Sequence, residues 1–239
     1  MDKEKDMLDR ARLLLGDVAM AEMDRVRVII FGVGGVGSWC AESLVRSGVR
    51  HLTIVDSDVV CVTNINRQLM ATTETVGQIK VDALKAHLLT VNPAAEIDTR
   101  REVFTAATAD SFRLDEYDYI IDAIDSLRDK MTLIETACRT QACFFSSMGA
   151  ALKLDPTRVR VAEFWRVEGC PLARALRQRF KKAKTRPARK FMCVYSEERL
   201  ENKLPSGDDH ANGSLMHITA IFGLTIAGLV IRDIAGQKE

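Results

Sequence analysis

The chain has 239 residues, with 34 Lys plus Arg against 33 Asp plus Glu, a formal net charge of +1, and 47% apolar residues. That length suits one large domain, or a domain with an appendage, able to bury a core without disulfides or metal. The near-average composition excludes wholesale disorder, collagen-like repeats and a disulfide scaffold. Near-neutrality also argues against a nucleic-acid partner, provided charge is spread evenly along the chain.

Met1 to Arg12 is dense in charge and has no apolar run of the signal-peptide kind. Apolar spacing predicts a helix over Asp9 to Asp24, followed by a buried strand over Val26 to Phe31. The glycine cluster Gly32 to Gly37 ends that strand, and a helix over Ser38 to Ser47 stops at Gly48. Leu52 to Val55 is a second short strand closed by Asp56, completing a β-α-β unit with the glycines at its first turn. The rhythm continues with a helix over Gly77 to Leu89, extended chain over Glu96 to Phe104 and a strand over Tyr117 to Ala123. A helix over Arg128 to Thr140 and a strand over Ala142 to Ser146 follow. Strands alternating with helices predict an α/β fold, a Rossmann-like doubly wound, mainly parallel sheet with helices on both faces.

After Met148 the pattern changes, which divides the chain into a nucleotide-binding part, 1–150, and a C-terminal part of the same domain, 151–239. Val159 to Phe164 is a strand outside the earlier rhythm, and Leu172 to Lys190 is polar and basic. With few apolar residues to hold it, that basic stretch is expected to be mobile. The apolar run Ile218 to Ile231 spans fourteen residues and contains two glycines, short of a membrane span, so it is expected to be a buried helix. The six cysteines form no C-x-x-C pair, which argues against a thiolate zinc site and for reduced thiols in a cytoplasmic protein.

Gly32-x-Gly34-x-x-Gly37 between a strand and a helix lets a phosphate approach main-chain N–H groups at a helix N-terminus. Asp56 stands 19 positions beyond Gly37, where an acid can bind ribose hydroxyls. The commonest nucleotide for this constellation is NAD. Val59 to Gln68, however, is a polar excursion where another helix would begin, and Lys80 and Asp125 follow at a helix start and a strand end. Asp56, Arg67 and Asp125 can converge with the glycine loop beyond the carboxyl ends of the strands. Two cations and two acids around a nucleotide suit ATP with magnesium better than NAD.

Asp56-x-Asp58, Thr63-Asn-Ile-Asn-Arg-Gln68, Gly77-x-x-Lys80 and Asp122-Ala-Ile-Asp125-Ser126, behind GVGGVGSW, resemble the ThiF/MoeB/HesA superfamily, which shares its adenylation domain with ubiquitin-activating enzymes. Within it the chain is most similar to the tRNA threonylcarbamoyladenosine dehydratase branch, through Arg10-Ala-Arg-Leu-Leu-Leu-Gly16, Gly37-Ser-Trp39 and Asp155-Pro-Thr157. The resemblance implies an ATP site in which Gly32, Gly34, Gly35 and Gly37 cradle phosphates and Asp56 binds ribose. Asn64, Arg67 and Lys80 would line the phosphates, and Asp125 would position Mg2+. Arg10 matches an arginine that reaches into the neighbouring site of a homodimer, with Arg12 two positions on. Asp58 and Asn66 are turn-capping residues by their type.

The implied reaction is ATP-dependent adenylation of the carboxylate of N6-threonylcarbamoyladenosine in tRNA, followed by cyclisation. The alternative is an adenylyltransferase that activates the C-terminus of a small ubiquitin-like sulfur carrier. A scaffold that keeps the fold without turnover, and an NAD-linked oxidoreductase, stand behind these two. Cysteine desulfurase and sulfur-acceptor proteins are partners by resemblance only; Cys170 and Cys193 are the candidates outside the core for such chemistry, though both read first as ordinary small apolar residues. No membrane is expected to be involved.

The basic segment restores the polymer question. Nine cations lie between Arg174 and Lys190 with no acid among them, and removing that +9 from the total of +1 leaves −8 for the remainder. An acidic body with one basic segment suits a tRNA partner held by phosphate contacts, with Phe180 or Phe191 as stacking candidates.

Overall fold

The computed structural model describes residues 6–205 and 212–237. Helix α1 (Asp9–Arg25), interrupted at Gly16, precedes strand β1 (Arg27–Phe31), helix α2 (Gly37–Arg46) and strand β2 (His51–Val55). A long excursion then leads to α3 (Lys80–Val91) and β3 (Glu96–Arg100). Two short 3-10 turns replace a helix before β4 (Tyr119–Asp122), and α4 (Leu127–Ala137) and β5 (Cys143–Ser147) follow. The remainder is β6 (Val159–Glu163), α5 (Pro171–Ala183), β7 (Met192–Ser196) and α6 (Met216–Ile234).

The strands form one sheet in the order β3-β2-β1-β4-β5-β7-β6. All neighbours are parallel except β6 with β7, where Val159 pairs with Ser196 and Glu163 with Met192. The doubly wound expectation therefore holds, with an antiparallel edge hairpin added. Because β7 pairs with β5, the sheet runs on past residue 150.

Central strands such as RVIIF and YIID are near-continuous apolar runs because both faces of the sheet are covered. Successive side chains point to opposite faces. Val28, Ile30 and Ile121 pack beneath Leu44 of α2, Leu84 of α3 and Phe222 of α6. Ile29, Phe31 and Ile120 pack instead against Leu133 of α4 and Phe180 of α5.

Helix α6 is longer than the apolar run that marks it, at 19 residues, and is the one helix among the described residues long and apolar enough to cross a membrane. Its tertiary setting is that of a core helix. Ile218, Phe222, Ile226 and Val230 recur every fourth residue and are fully buried. Gly223 brings α6 so close to α2 that a Cβ there would collide with the Val36 carbonyl.

The expectation of a mobile basic stretch is corrected. Pro171 starts α5, and Ala173, Leu176 and Phe180 bury one stripe of it in the core. Few apolar residues suffice because their i, i+3, i+7 spacing places them on one face.

Candidate active site

The order of the sheet reverses between β1 and β4, and such a switch point opens a crevice beyond the carboxyl ends of the strands. A cavity of about 700 Å3 lies there. The loop after β1 supplies Gly32, Gly34 and Gly35, the end of β2 supplies Asp56, and the loop after β4 supplies Asp125. Arg67 and Lys80 come from the excursion and from the start of α3. Met148 to Ala151 beyond β5 and Leu172 of α5 complete the lining, and Thr219 of α6 packs against Gly35 of the glycine loop.

The glycine loop is held by its own backbone and by Asp56. Gly32 has φ +84°, and a Cβ on Gly37 would collide with its carbonyl. Gly37 thus serves the close packing of α2 against the strand end and does not itself line the cavity. Asp56 accepts a hydrogen bond from Val33 N at 2.9 Å and from Asp58 N at 3.0 Å, tying the end of β2 to the glycine loop. Each carboxylate oxygen keeps acceptor capacity for a ribose hydroxyl.

Lys80 arrives through a fold-back that no local pattern announces. Val59 and Ile79 form an isolated antiparallel bridge, and Lys80 N donates to the Asp58 carbonyl at 3.0 Å. The helix therefore starts at Lys80 and not at Gly77. The Lys80 side chain is only 8% exposed, with Nζ 2.7 Å from Asp58 Oδ2 and 3.9 Å from Asp56 Oδ1. Asp58 is more than a turn residue: its carboxylate is the nearest counter-charge of the buried ammonium.

Arg67 is steered by its own loop, donating to the Thr63 carbonyl at 2.9 Å and to Asn66 Oδ1 at 3.0 Å. Asn66 in turn donates to the Ser214 carbonyl at 2.8 Å, anchoring the excursion to the chain before α6. Asn64 is buried, accepts from Cys61 N at 3.0 Å and lies outside the cavity lining. Gln68, which the sequence did not single out as a site residue, is buried and lines the cavity beside Gly34.

Asp125 is exposed on the cavity wall, and the turn carrying it is built on a buried ion pair. Asp122 and Lys130 both have fully buried side chains, with Nζ 2.9 Å from Asp122 Oδ2. Asp122 Oδ1 accepts from Ile124 N at 3.1 Å, and Lys130 donates to the Ile124 carbonyl at 2.8 Å. Both backbone polar groups of the residue before Asp125 are thus fixed by one pair. Ser146 donates to Asp122 Oδ2 at 2.7 Å. Burial holds the Asp122 carboxyl above its usual range, with Lys130 the largest opposing influence. The one sequence signal for this pair is an acid ending a strand of apolar residues. Its partner, eight residues on, has none.

Arg10 is exposed on α1, whereas Arg12 is engaged with Asp6, Asp9 and Asp17. Among the described residues no cysteine lines the cavity. Cys40, Cys170 and Cys193 are buried, and burial pushes the thiols of Cys40 and Cys193 well above the usual range. Of the nine cations in 174–190, Arg177 donates to the Phe164 and Val167 carbonyls, and Arg189 to those of Ala137 and Ala142. The other seven are exposed. Phe180 and Phe191 are buried in the core, so neither can stack on a base.

The chain is similar to proteins of one family over nearly its whole length. A tRNA threonylcarbamoyladenosine dehydratase of Bacillus subtilis (strain 168) is 34% identical over 243 residues, which is 96% of this chain and 95% of the relative. The solved structure of the Escherichia coli tRNA N6-threonylcarbamoyladenosine dehydratase in complex with ATP matches with a TM-score of 0.85 and 30% identity, covering 98% of this chain and 96% of that one. The adenylyltransferase and sulfurtransferase of Culex quinquefasciatus is 32% identical over 141 residues, only 59% of this chain and 32% of its own length. The ThiF family model spans residues 8–239. With the glycine loop, Asp56, Arg67, Lys80 and Asp125 gathered at the switch point of its sheet, the chain belongs to the ThiF family.

Proposed function

We propose that this protein is an ATP-dependent tRNA threonylcarbamoyladenosine dehydratase. The observation that carries the reading is one cavity joining a phosphate-accommodating glycine loop, two cations and an exposed acid, in a chain similar over its whole length to dehydratases of that name. A carboxylate resists nucleophilic attack because it is anionic and has a poor leaving group. Attack of its oxygen on the α-phosphorus of ATP expels pyrophosphate and leaves an acyl-adenylate. A nitrogen of the same modification then attacks the acyl carbon, AMP departs, and the nitrogen loses its proton. The net change in the nucleoside is the loss of one water. Because the second attack is intramolecular, proximity replaces a nucleophilic side chain and no cysteine is needed.

In this reading Gly32, Gly34 and Gly35 receive the phosphates and Asp56 the ribose. Arg67 and Lys80 offset charge that builds on the phosphates during transfer. Lys80 would then exchange part of its contact with Asp58 for phosphate. Asn64 and Gly37 act through the shape of their loops. Magnesium fits Asp125: the ion commonly binds protein through one or two carboxylates and takes its other ligands from water and phosphate. Bound there, it would help neutralise the triphosphate. Residues 1–150 would carry most of the nucleotide site and 151–239 the surface for RNA, in a cytoplasmic enzyme.

The direct test is to incubate the protein with ATP, magnesium and tRNA carrying threonylcarbamoyladenosine, digest the RNA and weigh the nucleosides. Loss of one water from the modified adenosine supports the reading. No mass change, with pyrophosphate exchange driven instead by a diglycine-ended carrier protein, would replace it with carrier activation.

Two further outcomes are expected. Lys181, Lys182 and Lys184 are exposed at the end of α5. Their combined replacement by Glu should weaken tRNA binding and flatten its salt dependence, by a slope of roughly 0.7–0.9 for each phosphate that is no longer neutralised, while ATP affinity stays unchanged. Equal tRNA affinity in a filter-binding titration would make the segment a solvated face. The second outcome concerns a homodimer. Leu13, Leu14 and Val18, close to Arg10, are 88%, 84% and 87% exposed, an apolar row that a second copy would cover. Leu14→Glu should sediment as a monomer and lose turnover, as Arg10→Ala should lose it without dissociating. A wild-type protein that sediments as a monomer at working concentration would end that part of the reading.

A further inference from the structure

Trp165 is the exposed aromatic of the basic face, and its placement is unusually constrained for a surface side chain. It lies in the 3-10 turn Phe164–Arg166 between β6 and α5. Glu163 Oε2 accepts from Trp165 N at 3.0 Å, fixing the turn. Phe164, fully buried, stacks on Phe191 with centroids 5.0 Å apart and meets Phe180 edge-on at 6.0 Å. Trp165 meets Phe164 edge-on at 5.1 Å, so its indole rests on the core aromatic group while remaining 38% exposed.

The chain after α5 returns to this ring. Lys184, at φ +55°, caps the helix and redirects the backbone. Thr185 Oγ1 donates to Glu135 Oε1 at 2.8 Å, and Arg189 is held by the carbonyls of Ala137 and Ala142. Between these two anchors Arg186 places its guanidinium 5.6 Å from the Trp165 ring centroid. Arg166 of the same turn and Arg179, Lys181 and Lys182 of α5 are exposed, with Glu168 the one acid of residues 164–190. At its other end α5 reaches the nucleotide cavity through Leu172, roughly 16 Å along the helix from its last residue at 1.5 Å per residue.

We propose that Trp165 and Arg186 form a stacking platform for an unpaired base of the tRNA substrate, away from the nucleotide that enters the cavity. This rests on the dehydratase reading and adds an interaction that the reading does not require. With the Arg186 guanidinium layered over the indole, the pair offers a planar surface to any base, and the exposed cations of the same segment can neutralise phosphates of the bound strand. A base inside an A-form helix is already stacked on its neighbours, so the platform fits a loop or bulge and not a duplex. The rigid Phe164 base means that little side-chain freedom is lost on binding.

The test compares wild type, Trp165→Ala, Trp165→Phe and Arg186→Gln, with threonylcarbamoyladenosine-containing tRNA as the probe. Trp165→Ala should raise the KM for tRNA roughly tenfold or more, with the KM for ATP and kcat at saturating tRNA unchanged. Trp165→Phe should recover most of that loss. Because a stacked ring touches no phosphate, Trp165→Ala should leave the slope of log affinity against log salt unaltered, whereas Arg186→Gln should reduce it. Circular dichroism and ATP binding establish that each variant is folded, and should Trp165→Ala fail there, Arg186→Gln carries the test: an unchanged tRNA KM and salt slope for it would overturn the platform. A tRNA KM for Trp165→Ala within twofold of an active wild type would overturn the platform alone. A wild type that does not dehydrate the modified tRNA would overturn the functional reading itself.

Discussion

Asp125→Ala is expected to abolish ATP-dependent turnover while leaving the protein folded. The side chain is exposed on the cavity wall, and the turn beneath it is fixed by Asp122 and Lys130. Removing it should therefore change stability by no more than about 0.5 kcal/mol, as for most surface substitutions. Its effect falls on charge stabilisation in the proposed adenylation step, where loss of one preorganised group typically lowers the rate by about 100-fold or more. Single-turnover formation of the dehydrated nucleoside, set beside a thermal melt, measures both quantities. A rate within tenfold of wild type would remove Asp125 from the metal-positioning role.

Lys130→Met is expected to act through the other arm of the same turn and to be strongly destabilising. The ammonium and the Asp122 carboxylate are both fully buried, so the variant leaves an acid in the core with Ser146 Oγ and Ile124 N as its remaining partners. Breaking a buried pair from one side generally costs about 3–5 kcal/mol. Burial already holds Asp122 above the usual carboxylate range, and loss of its largest opposing influence raises it further. An acid more readily protonated in the folded than the unfolded state favours folding at low pH. That contribution fades as pH rises through the folded value. The deficit of Lys130→Met relative to wild type should therefore be largest near neutrality and shrink as pH falls toward about 4, where the unfolded-state acid also protonates. Urea titrations of both proteins across that range supply the comparison. Adding Asp122→Asn should recover part of the loss, because a neutral amide needs no counter-charge. A deficit independent of pH would show that the pair is not what Lys130 contributes.

These two residues mark how far local pattern reaches. Asp125 was visible because it follows a strand, and the carboxyl ends of parallel strands share one edge wherever the helices between them lie. The same rule located the glycine loop and Asp56. Lys130 was invisible because nothing local distinguishes a helix position that points into the core with a charge from one that points to solvent. Asp58 by its type alone reads as a turn-capping residue; its ion pair with Lys80 depends on the excursion closing on itself through Val59 and Ile79. The contributions of Leu172 and Thr219 to the cavity could not be found from motifs, since both come from helices after residue 150 that only the packing brings to the sheet edge.

The basic segment shows the same division. Its charge was countable from the chain, and concealed by the near-neutral total of +1. Which cations face solvent was not countable. Arg177 and Arg189 turn inward to cap carbonyls, Phe180 and Phe191 go to the core, and the exposed ring is that of Trp165. Composition, period-2 and period-3.6 patterning and the order of short motifs settled the fold class and the edge of the sheet where chemistry would sit, because each depends on neighbours within a few residues. Which side chains meet across that edge, and which charges are buried or free, came only with tertiary packing, because hydrogen bonds and desolvation act between residues that the chain itself keeps far apart.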